Sequence, residues 1–392
     1  MKYTMGKLLG VIFVVFFTLC TANSVNAIGV TSTITVGTNP EGITYDSGKG
    51  EIFVSSMANN TVSVISDSNN TVVATIPVGS SPRELVYDPG VGKIYVTSYD
   101  SKVYVIDDDT NKVVANVTVG FYPTYLAYDS GKGEIFVSNM GSGTVSVILD
   151  KNNTVVATVN LVAVPTGNFG TGLQPQALCY DSGKGEIFVP CREGSGPIHV
   201  ISDTNNTVVA TILLPETVII REPEAACYDP NKGEIFVGNA DNTVYIISDT
   251  NNTIVDSILT LGGPVGFVYD SGKGYMFLAN QYDNSISADY NSVSVISDTN
   301  NTIIKTIGVG MQPKTLAYDS AKGEVFVANS YINTVSVISD STSVPDQPGN
   351  NDNNGGQQNN NGDNSGKKST PGFELLIVIG AAAFVLLLKR KR

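Results

Sequence analysis

The sequence predicts an all-β fold, a seven-bladed β-propeller built from four-stranded blades. Short segments rich in Val, Ile and Thr alternate with turns rich in Gly, Asn and Asp throughout residues 28–343, the pattern of short strands joined by tight turns. The dipeptide Tyr-Asp stands at the same place in seven repeats spaced 41 to 52 residues apart, and a period in the low forties is typical of one propeller blade. The seven tyrosines are Tyr45, Tyr87, Tyr128, Tyr180, Tyr228, Tyr269 and Tyr318.

Each repeat divides into four strands. The first opens at a proline, as in 313–318, and is followed by the turn Asp-Ser-Gly-Lys-Gly, in which glycine provides the positive φ of a tight hairpin. The second strand reads Glu-Ile-Phe-Val, as in 51–54, and the third reads Thr-Val-Ser-Val-Ile, as in 144–148. A second turn, Ser-Asp-x-Asn-Asn, leads into the fourth strand. The middle strands are apolar at successive positions, which predicts burial on both faces between neighbouring blades.

The last repeat is incomplete, and the N-terminus supplies what it lacks. The seventh repeat ends at Asp340 after three strands. Residues 30–37, Val-Thr-Ser-Thr-Ile-Thr-Val-Gly, match the fourth strand of the first repeat at 71–79. We therefore expect the N-terminal strand to complete the last blade and close the ring, because closure removes exposed sheet edges.

The N-terminal residues 1–27 predict a secretory signal peptide. Lys2 and Lys7 precede an apolar run over 8–19, and the small residues that end at Ala27 form a cleavage site. An uncleaved membrane anchor is the alternative. Either interpretation places residues 28–343 outside the cell.

The C-terminal residues predict a tether and an anchor. Residues 344–370 are dominated by Asn, Gly, Gln, Asp and Ser, which bury too little apolar surface to fold. Residues 371–392 hold an uninterrupted apolar run of 14 residues and four terminal basic residues, and the basic cluster favours a cytoplasmic end. The run is shorter than the roughly 20 residues of a spanning helix, so a sorting signal and a short transmembrane anchor both remain open.

The charge of the chain limits its partners. Acidic residues number 36 against 23 basic ones, for a net charge of −13 at pH 7. Six of the basic residues lie in the two terminal segments, so the exported part is more acidic than the whole. Such a surface disfavours nucleic acid and anionic lipid as partners.

Two stretches resemble known families. Ile-Tyr-Val-Thr-Ser at 94–98 and Ile-Phe-Val-Ser-Asn at 135–139 resemble the YVTN-type β-propeller repeat, and the resemblance covers 28–343. That family is common in archaeal and bacterial surface proteins, which implies a surface-layer-like role. The tail motif Pro371, Gly372 and Phe373 resembles a PGF-CTERM signal, which implies that an archaeosortase removes the tail and attaches a lipid anchor.

Sequence diversity within the repeat predicts a ligand-binding face. The residue after the opening proline varies most between repeats, and its side chains should ring the mouth of the central channel. Insertions at 160–174, 192–196, 213–222 and 281–291 lengthen connections that emerge on the same face. Neutral drift at exposed positions is the alternative. The seven positions are Glu41, Arg83, Thr124, Gln176, Glu224, Val265 and Lys314.

These features predict a binding, adhesion or envelope-scaffold module with a protein or glycan partner, and predict no enzyme activity, cofactor or metal. His199 is the single histidine and aligns with a serine of the third strand in other repeats, so we expect it to be structural. The alternative is an extracellular metal-dependent hydrolase similar to lactonase-like propellers, with Glu41 and Glu224 as metal ligands at the channel mouth.

Three further motifs have two interpretations each. The run 107–109, Asp-Asp-Asp, occupies a turn and predicts a solvated loop, with a calcium site as the alternative. Cys179, Cys191 and Cys227 either include one disulfide or remain three free thiols. Asn-x-Thr sequons predict glycosylation on an exported protein, although Asn-Asn also suits tight turns. The sequon asparagines are Asn59, Asn69, Asn116, Asn152, Asn205, Asn251 and Asn300.

Overall fold

The computed structural model describes residues 28–161, 173–192, 196–215, 218, 220, 222–281 and 291–339. Within these ranges the protein is all-β, and seven antiparallel sheets form a ring of blades. The predicted signal peptide at 1–27, tether at 344–370 and anchor at 371–392 lie outside the described residues, as do most of the predicted insertions at 160–174, 192–196 and 281–291 and part of the insertion at 213–222.

Blades one to three follow the chain without interruption. Blade one comprises β2 (Pro40–Asp46), β3 (Glu51–Ser56), β4 (Thr61–Ser66) and β5 (Thr71–Pro77). Blade two comprises β6 (Pro82–Asp88), β7 (Lys93–Ser98), β8 (Lys102–Asp107) and β9 (Lys112–Thr118). Blade three comprises β10 (Pro123–Asp129), β11 (Glu134–Asn139), β12 (Thr144–Leu149) and β13 (Thr154–Asn160).

Blades four to six repeat the same order, with the first strand of blade four split in two. Blade four comprises β14 (Gln174–Pro175), β15 (Cys179–Asp181), β16 (Glu186–Arg192), β17 (Pro197–Ser202) and β18 (Thr207–Leu213). Blade five comprises β19 (Pro223–Asp229), β20 (Glu234–Asn239), β21 (Thr243–Ser248) and β22 (Thr253–Leu259). Blade six comprises β23 (Gly263–Asp270), β24 (Tyr275–Gln281), β25 (Ser292–Ser297) and β26 (Thr302–Gly308).

Blade seven combines the two ends of the folded region. Its sheet has the order β1 (Gly29–Thr35), β29 (Thr334–Ser339), β28 (Glu324–Asn329) and β27 (Pro313–Asp319). The N-terminal strand therefore closes the ring, as the sequence predicted. A seven-bladed propeller with this closure is confirmed.

The core lies between blades. The second and third strands of each blade are buried on both faces, because each sheet packs against the next. Phe53 of blade one, for example, packs with Ile94 and Val96 of blade two. An aromatic ring occupies this second-strand position in every blade, and fully burying one such side chain contributes roughly 1.5–3 kcal/mol. The fully buried rings are Phe53, Tyr95, Phe136, Phe188, Phe236, Phe277 and Phe326.

The turns at the ends of the first strands tie neighbouring blades together on one face, which we name the underside. Asp46 Oδ1 accepts hydrogen bonds from the main-chain nitrogens of Gly48 and Lys49 at 2.8 and 3.2 Å. The Tyr87 hydroxyl of blade two donates to Asp108 of its own blade at 3.4 Å, and burial together with the neighbouring carboxylate of Asp46 in blade one raises the pKa of Tyr87. The tyrosine of one Tyr-Asp dipeptide therefore lies beside the aspartate of the Tyr-Asp dipeptide in the preceding blade.

The outer strands are bulged. In blade one the register of β4 against β5 shifts between Val64 and Ile65, which leaves Val73 unpaired and half exposed. The same shift occurs in the outer strands of the other blades. Bulges of this kind disrupt the regular ladder of an edge strand and oppose pairing with another chain.

Candidate ligand site at the channel mouth

The seven variable residues that follow the opening prolines meet at one cavity. They lie on the face opposite the underside, which we name the mouth face, and they surround a cavity of about 190 Å³ at the centre of the ring. Because each blade contributes one residue, the cavity wall samples all seven repeats. Its lining includes Glu41, Arg83, Thr124, Gln176, Glu224, Val265 and Lys314.

The first strands position these residues through a local irregularity. In blade one the pairing of β2 with β3 skips from Pro40 to Ile43, so the two residues between them leave the regular ladder. Hydroxyl groups of the next strands then fix the main chain of the mouth residues. Ser55 donates to the carbonyl of Arg83 at 2.5 Å, and Thr97 donates to the carbonyl of Thr124 at 2.9 Å. The mouth therefore has a rigid main chain and variable side chains.

Two arginines of the mouth are held by acidic partners. Arg83 Nη1 lies 3.4 Å from Glu41 Oε2 of the preceding blade, and its guanidinium stacks 5.2 Å from the ring centre of Tyr99. Arg192 reaches Glu222 Oε2 at 2.6 Å and Glu224 Oε1 at 3.4 Å. These contacts hold both guanidinium groups beside the opening in fixed orientations.

The remaining cation is paired with a neutral group. Lys314 Nζ donates to Gln281 Oε1 at 3.2 Å. This amide partner carries no charge, whereas the arginines are paired with carboxylates. The mouth therefore combines two arginines held in three ion pairs with one ammonium that an amide orients.

A second layer lies one residue deeper. Glu84, Tyr125 and Thr315 line both the mouth cavity and a deeper cavity of about 130 Å³. Burial raises the pKa of Glu84 to about 8, although N–H groups of Leu85 and Ile43 donate to its carboxylate and oppose the rise. Below this layer the channel becomes apolar. The apolar lining comprises Leu85, Leu126, Leu178, Phe267 and Leu316.

Sequence reasoning missed this second layer, although a signal was present. In four repeats the residue two places after the opening proline is glycine or alanine. Gly42 is obligatory there, because a Cβ would contact the main-chain carbonyl of Arg83 in the next blade. Glu84, Tyr125 and Thr315 are the large or polar exceptions, and the exceptions are the residues that give the channel its chemistry.

Exposed aromatic rings border the mouth. Tyr122 packs edge-on against Tyr99, with ring centres 5.5 Å apart, and Tyr122 holds a left-handed φ of 51°. Phe121 beside it is 68% exposed, and Tyr331 of blade seven is 65% exposed. The neighbouring exposed rings of Phe121 and Tyr122 give this part of the rim a local apolar surface.

The proposed metal ligands of the hydrolase alternative are engaged in ion pairs. Glu41 contacts Arg83, and Glu224 contacts Arg192. Within the described part of the chain, no group of three or more His, Cys, Asp or Glu side chains is placed to hold a metal ion.

His199 lies in the interior of blade four. It is 2% exposed, its Nδ1 lies 3.0 Å from Thr211 Oγ1, and burial lowers its pKa. Three other blades have an Asn–Ser hydrogen bond at this place, as between Asn139 and Ser146 at 2.9 Å. In blade four the corresponding residues are Cys191 and His199.

The acidic run and the cysteines occupy structural positions. Asp107 pairs with Lys93 at 2.8 Å, and this hydrogen bond lowers the pKa of Asp107 to about 2. Asp109 pairs with Lys49 of blade one, also at 2.8 Å. The three cysteines are free thiols, and burial raises the pKa of each. They are Cys179, Cys191 and Cys227.

All seven sequon asparagines are exposed. Five lie in the turns between third and fourth strands on the underside. In these turns the Asn side chain accepts a hydrogen bond from the threonine two residues later, as between Thr71 and Asn69 at 2.7 Å. Asn59 instead lies in a connection of the mouth face, and Asn116 lies on β9.

Comparison with known proteins supports the fold. No family model and no curated protein sequence matches the chain. Among solved structures, the hydrazine synthase of Kuenenia stuttgartiensis superposes with a TM-score of 0.65 at 14% identity, covering 77% of this chain and 95% of that one. Identity this low establishes the propeller architecture alone. A search for membrane-spanning helices found none of sufficient length and apolarity among the residues described.

Proposed function

We propose that this protein is a surface-anchored β-propeller that binds a protein or glycan partner at the mouth of its central channel. The propeller fold suits a binding or scaffold module. The observation that supports the site is the convergence on one cavity of seven positions that differ between repeats, whereas the turn after the first strand and the second strand vary much less. A ring maintained only for its stability would need no such variety at its mouth.

The composition of the mouth favours a polar, hydrogen-bonding partner. Arg83 and Arg192 present oriented N–H groups beside carboxylates, and Lys314 and Gln176 add a charge and an amide. The exposed rings of Phe121 and Tyr122 add apolar surface at the rim. Sugars present both hydroxyl groups and apolar C–H faces, and loops of a protein present both polar and apolar groups.

Anchoring at the outer face of the cell membrane rests on the sequence of the two ends. The signal-like segment 1–27 directs export, and the tail 371–392, with its Pro371-Gly372-Phe373 motif, attaches the chain to the membrane. The polar segment 344–370 gives the propeller reach from the surface. The resemblance to YVTN-type surface proteins agrees with this location.

Glycans on the underside would complement binding at the mouth. Five sequons cluster in the underside turns of blades one, three, four, five and six, opposite the channel opening. Hydrophilic glycans there leave the mouth face clear. Peptide mapping by mass spectrometry of protein isolated from its native membrane measures the occupancy of each site.

The binding proposal is tested with the full chain on a glycan array and on immobilised envelope proteins from the same cells. The variants Arg83→Gln and Glu224→Gln remove one charge each from the mouth. Lys112→Gln and Asp256→Asn make matched changes on the exposed outer strands β9 and β22. We expect the mouth variants to weaken binding at least tenfold and the outer variants to bind like wild type. Equal binding by all four variants would exclude the mouth as the site.

The location is tested separately on intact cells. A membrane-impermeant biotin reagent should label the lysines of the propeller, and protease added outside should release it. Mass analysis of the remaining C-terminus distinguishes a lipid-exchanged tail from a retained one. A propeller protected from both reagents would contradict surface exposure.

A further inference from the structure

In two junctions between blades, the residue that ends the second strand contacts the mouth residue of the next blade. Between blades four and five, Arg192 Nη1 lies 3.4 Å from Glu224 Oε1. Between blades six and seven, Lys314 Nζ donates to Gln281 Oε1 at 3.2 Å. Arg192 and Gln281 are the last residues of β16 and β24, so the two contacts are equivalent in the fold. One contact is an ion pair, whereas the other joins an ammonium group to a neutral amide.

The mouth residue of the blade that precedes Lys314 is also uncharged. Arg83 of blade two lies 3.4 Å from Glu41, the mouth residue of blade one. The corresponding neighbour of Lys314 is Val265 of blade six, which lines the same cavity. Both positions that supply a carboxylate to a cation elsewhere in the mouth therefore hold uncharged residues beside Lys314.

The contact with Lys314 determines how the Gln281 amide is oriented. An ammonium group has donors and no acceptor, so the amide presents its oxygen to Nζ and turns its NH₂ group away. After donating to this oxygen, Nζ keeps N–H groups for other acceptors. The ammonium of Lys314 and the NH₂ group of Gln281 are therefore two neighbouring donors in the lining of the mouth cavity. A carboxylate has two oxygens that accept from such a pair.

The main chain around Lys314 is held by both neighbouring blades. Thr315 Oγ1 donates to the carbonyl of Glu41 in blade one at 2.6 Å. On the other side, the main chain of Gly266 in blade six approaches so closely that a Cβ there would overlap the carbonyl oxygen of Lys314. Because the main chain is fixed before a ligand arrives, binding at Lys314 costs little ordering of the protein.

The mouth is positively charged within an acidic chain. Its charged lining residues are the cations Arg83, Arg192 and Lys314 and the acids Glu41, Glu84 and Glu224. Burial raises the pKa of Glu84 to about 8, so this side chain is mostly protonated at neutral pH. Three cations then face two ionised carboxylates, whereas the whole chain has a net charge of −13. A positive cavity of this kind attracts an anionic group.

The rest of the lining favours a sugar over a protein loop as the carrier of that anion. The cores of protein interfaces are depleted of charged residues, but only Val265 among the seven mouth residues is apolar, and Gln176 adds a further amide. Such polar groups suit the hydroxyl groups of a sugar. The cavity of about 190 Å³ is smaller than the roughly 300–1,000 Å³ of sites for drug-sized ligands, so it suits one terminal residue of a chain.

We infer that the mouth binds the carboxylate of an acidic sugar, a uronic acid, at the Lys314–Gln281 pair. Lys314 supplies the positive charge, Gln281 supplies the second donor, and the other polar groups of the mouth contact the sugar hydroxyls. The inference rests on the proposed function, because it names the class of ligand that the same site binds.

The test uses the purified full chain and small probes. Glucuronate, galacturonate and mannuronate are each compared with the neutral hexose of the same configuration, and the N-acetylated amide of glutamate represents a protein carboxylate. Binding is followed by ligand-observed NMR at pH 7 and constant ionic strength. For at least one uronate we expect a Kd on the order of 1 mM, because a ligand of this size has few atoms that contribute to binding. Its hexose should bind at least about tenfold more weakly, since it lacks the charged hydrogen bond.

Two substitutions act on the Lys314–Gln281 pair, and each has a matched control. Lys314→Gln removes the charge and should weaken uronate binding at least about tenfold. Gln281→Glu gives Lys314 a carboxylate partner of nearly the same shape and should weaken uronate binding to a similar extent. Lys112→Gln makes the first change on the exposed strand β9 and should bind like wild type. Gln176→Glu makes the second change at the mouth residue of blade four and should weaken binding less than about threefold.

Three results would overturn the inference. One is the absence of binding by all three uronates up to about 20 mM, roughly twenty times the expected Kd. The second is unchanged uronate binding by Lys314→Gln, or equal binding of a uronate and its hexose, because either would show that no carboxylate lies at Lys314. The third is tighter binding of the glutamate derivative than of any uronate, which would assign the carboxylate to a protein partner.

Failure of this inference differs measurably from failure of the proposed function. Arg83→Gln and Lys314→Gln are compared on the same glycan array and on the same envelope proteins. Weaker partner binding by Arg83→Gln together with unchanged partner binding by Lys314→Gln would reject the carboxylate at Lys314 and leave the mouth as the binding site. Unchanged partner binding by both variants and by Glu224→Gln would reject the mouth as the binding site.

Discussion

Ile34 of the first strand lies directly opposite Val335 of the last strand. Both side chains are buried, and they pack in one cluster with Ile52 and Val54 of blade one. The N-terminal strand therefore completes blade seven and also contributes to the interface of that blade with blade one. Closure of the ring therefore involves this short segment as well as the packing of blade one against blade seven.

Replacing Ile34 with alanine should weaken the ring at its closure. The side chain is 6% exposed, and removal of three buried carbons leaves a cavity that costs about 2–4 kcal/mol. We expect the Tm to fall by at least about 4 °C in differential scanning calorimetry. Thr35→Ala, on the exposed face of the same strand, should change the Tm by less than about 1 °C. A loss of equal size in both variants would contradict a packing role for Ile34.

Replacing Gly50 with alanine tests the turn chemistry of the repeat. Gly50 holds a φ of 65°, and a Cβ there would lie 2.5 Å from Asp67 Oδ2. We expect a loss of about 1–3 kcal/mol in urea unfolding, because both the left-handed φ and the contact oppose the side chain. Gly308→Ala is the matched control, since nothing lies within 4 Å of its added Cβ. Similar stability of the two variants would show that the turn tolerates a side chain.

The ring could be predicted from sequence because every blade repeats the same local rules. The opening proline, the Tyr-Asp end and the β-branched strands each recur. A strand that is ambiguous in one repeat could therefore be assigned from the other six. The variable position after the proline was placed at the mouth by the same logic, and Glu41, Arg83 and Lys314 do meet there. Because the repeats share one pattern, the strand order of one blade predicts the strand order of the others.

The sequence could not predict which residues of neighbouring repeats contact each other. The contact of Arg192 with Glu222 joins blades four and five across the channel rim and follows from no periodicity. The depth of Glu84 depends on glycine at position 42 in the neighbouring blade, which lets the two main chains approach. Residues that depart from the repeat can be recognised in the sequence, but the contacts they make with other blades can be read only from the three-dimensional structure.

Glu84 should make stability fall with rising pH. Its pKa is raised from 4.5 to about 8 in the folded protein, so the folded state holds the proton more tightly than the unfolded chain between these values. The contribution of Glu84 to the free energy of unfolding is therefore full below about pH 4.5 and is lost by about pH 8. Glu84→Gln removes the titration and keeps an oxygen that accepts from the N–H groups of Leu85 and Ile43.

The Tm of Glu84→Gln relative to wild type should accordingly rise by about 2 °C or more between pH 5 and pH 9. Glu41→Gln, at the more open mouth of the same channel, provides the comparison, and the Tm is measured by scanning calorimetry in buffers of equal ionic strength. A constant difference between Glu84→Gln and wild type over this range would show that Glu84 is ionised in the folded protein at both pH values.

His199 should make the stability of the protein fall as the pH drops. Burial lowers its pKa from 6.5, so below pH 6.5 the unfolded chain binds a proton that the folded state takes up less readily, and stability falls as the pH drops. Its Nε2 is buried without a hydrogen-bond partner among the described residues, which adds to the cost of charging the ring.

His199→Ser installs the residue found at this place in blade three and leaves a cavity, so it should lower the Tm at pH 7.5. The deficit should shrink by about 2 °C at pH 5, where wild type alone is penalised by protonation. Gly308→Ala, measured in parallel, should show no such pH dependence, and a deficit for His199→Ser that stays constant from pH 7.5 to pH 5 would rule out histidine as the titrating group.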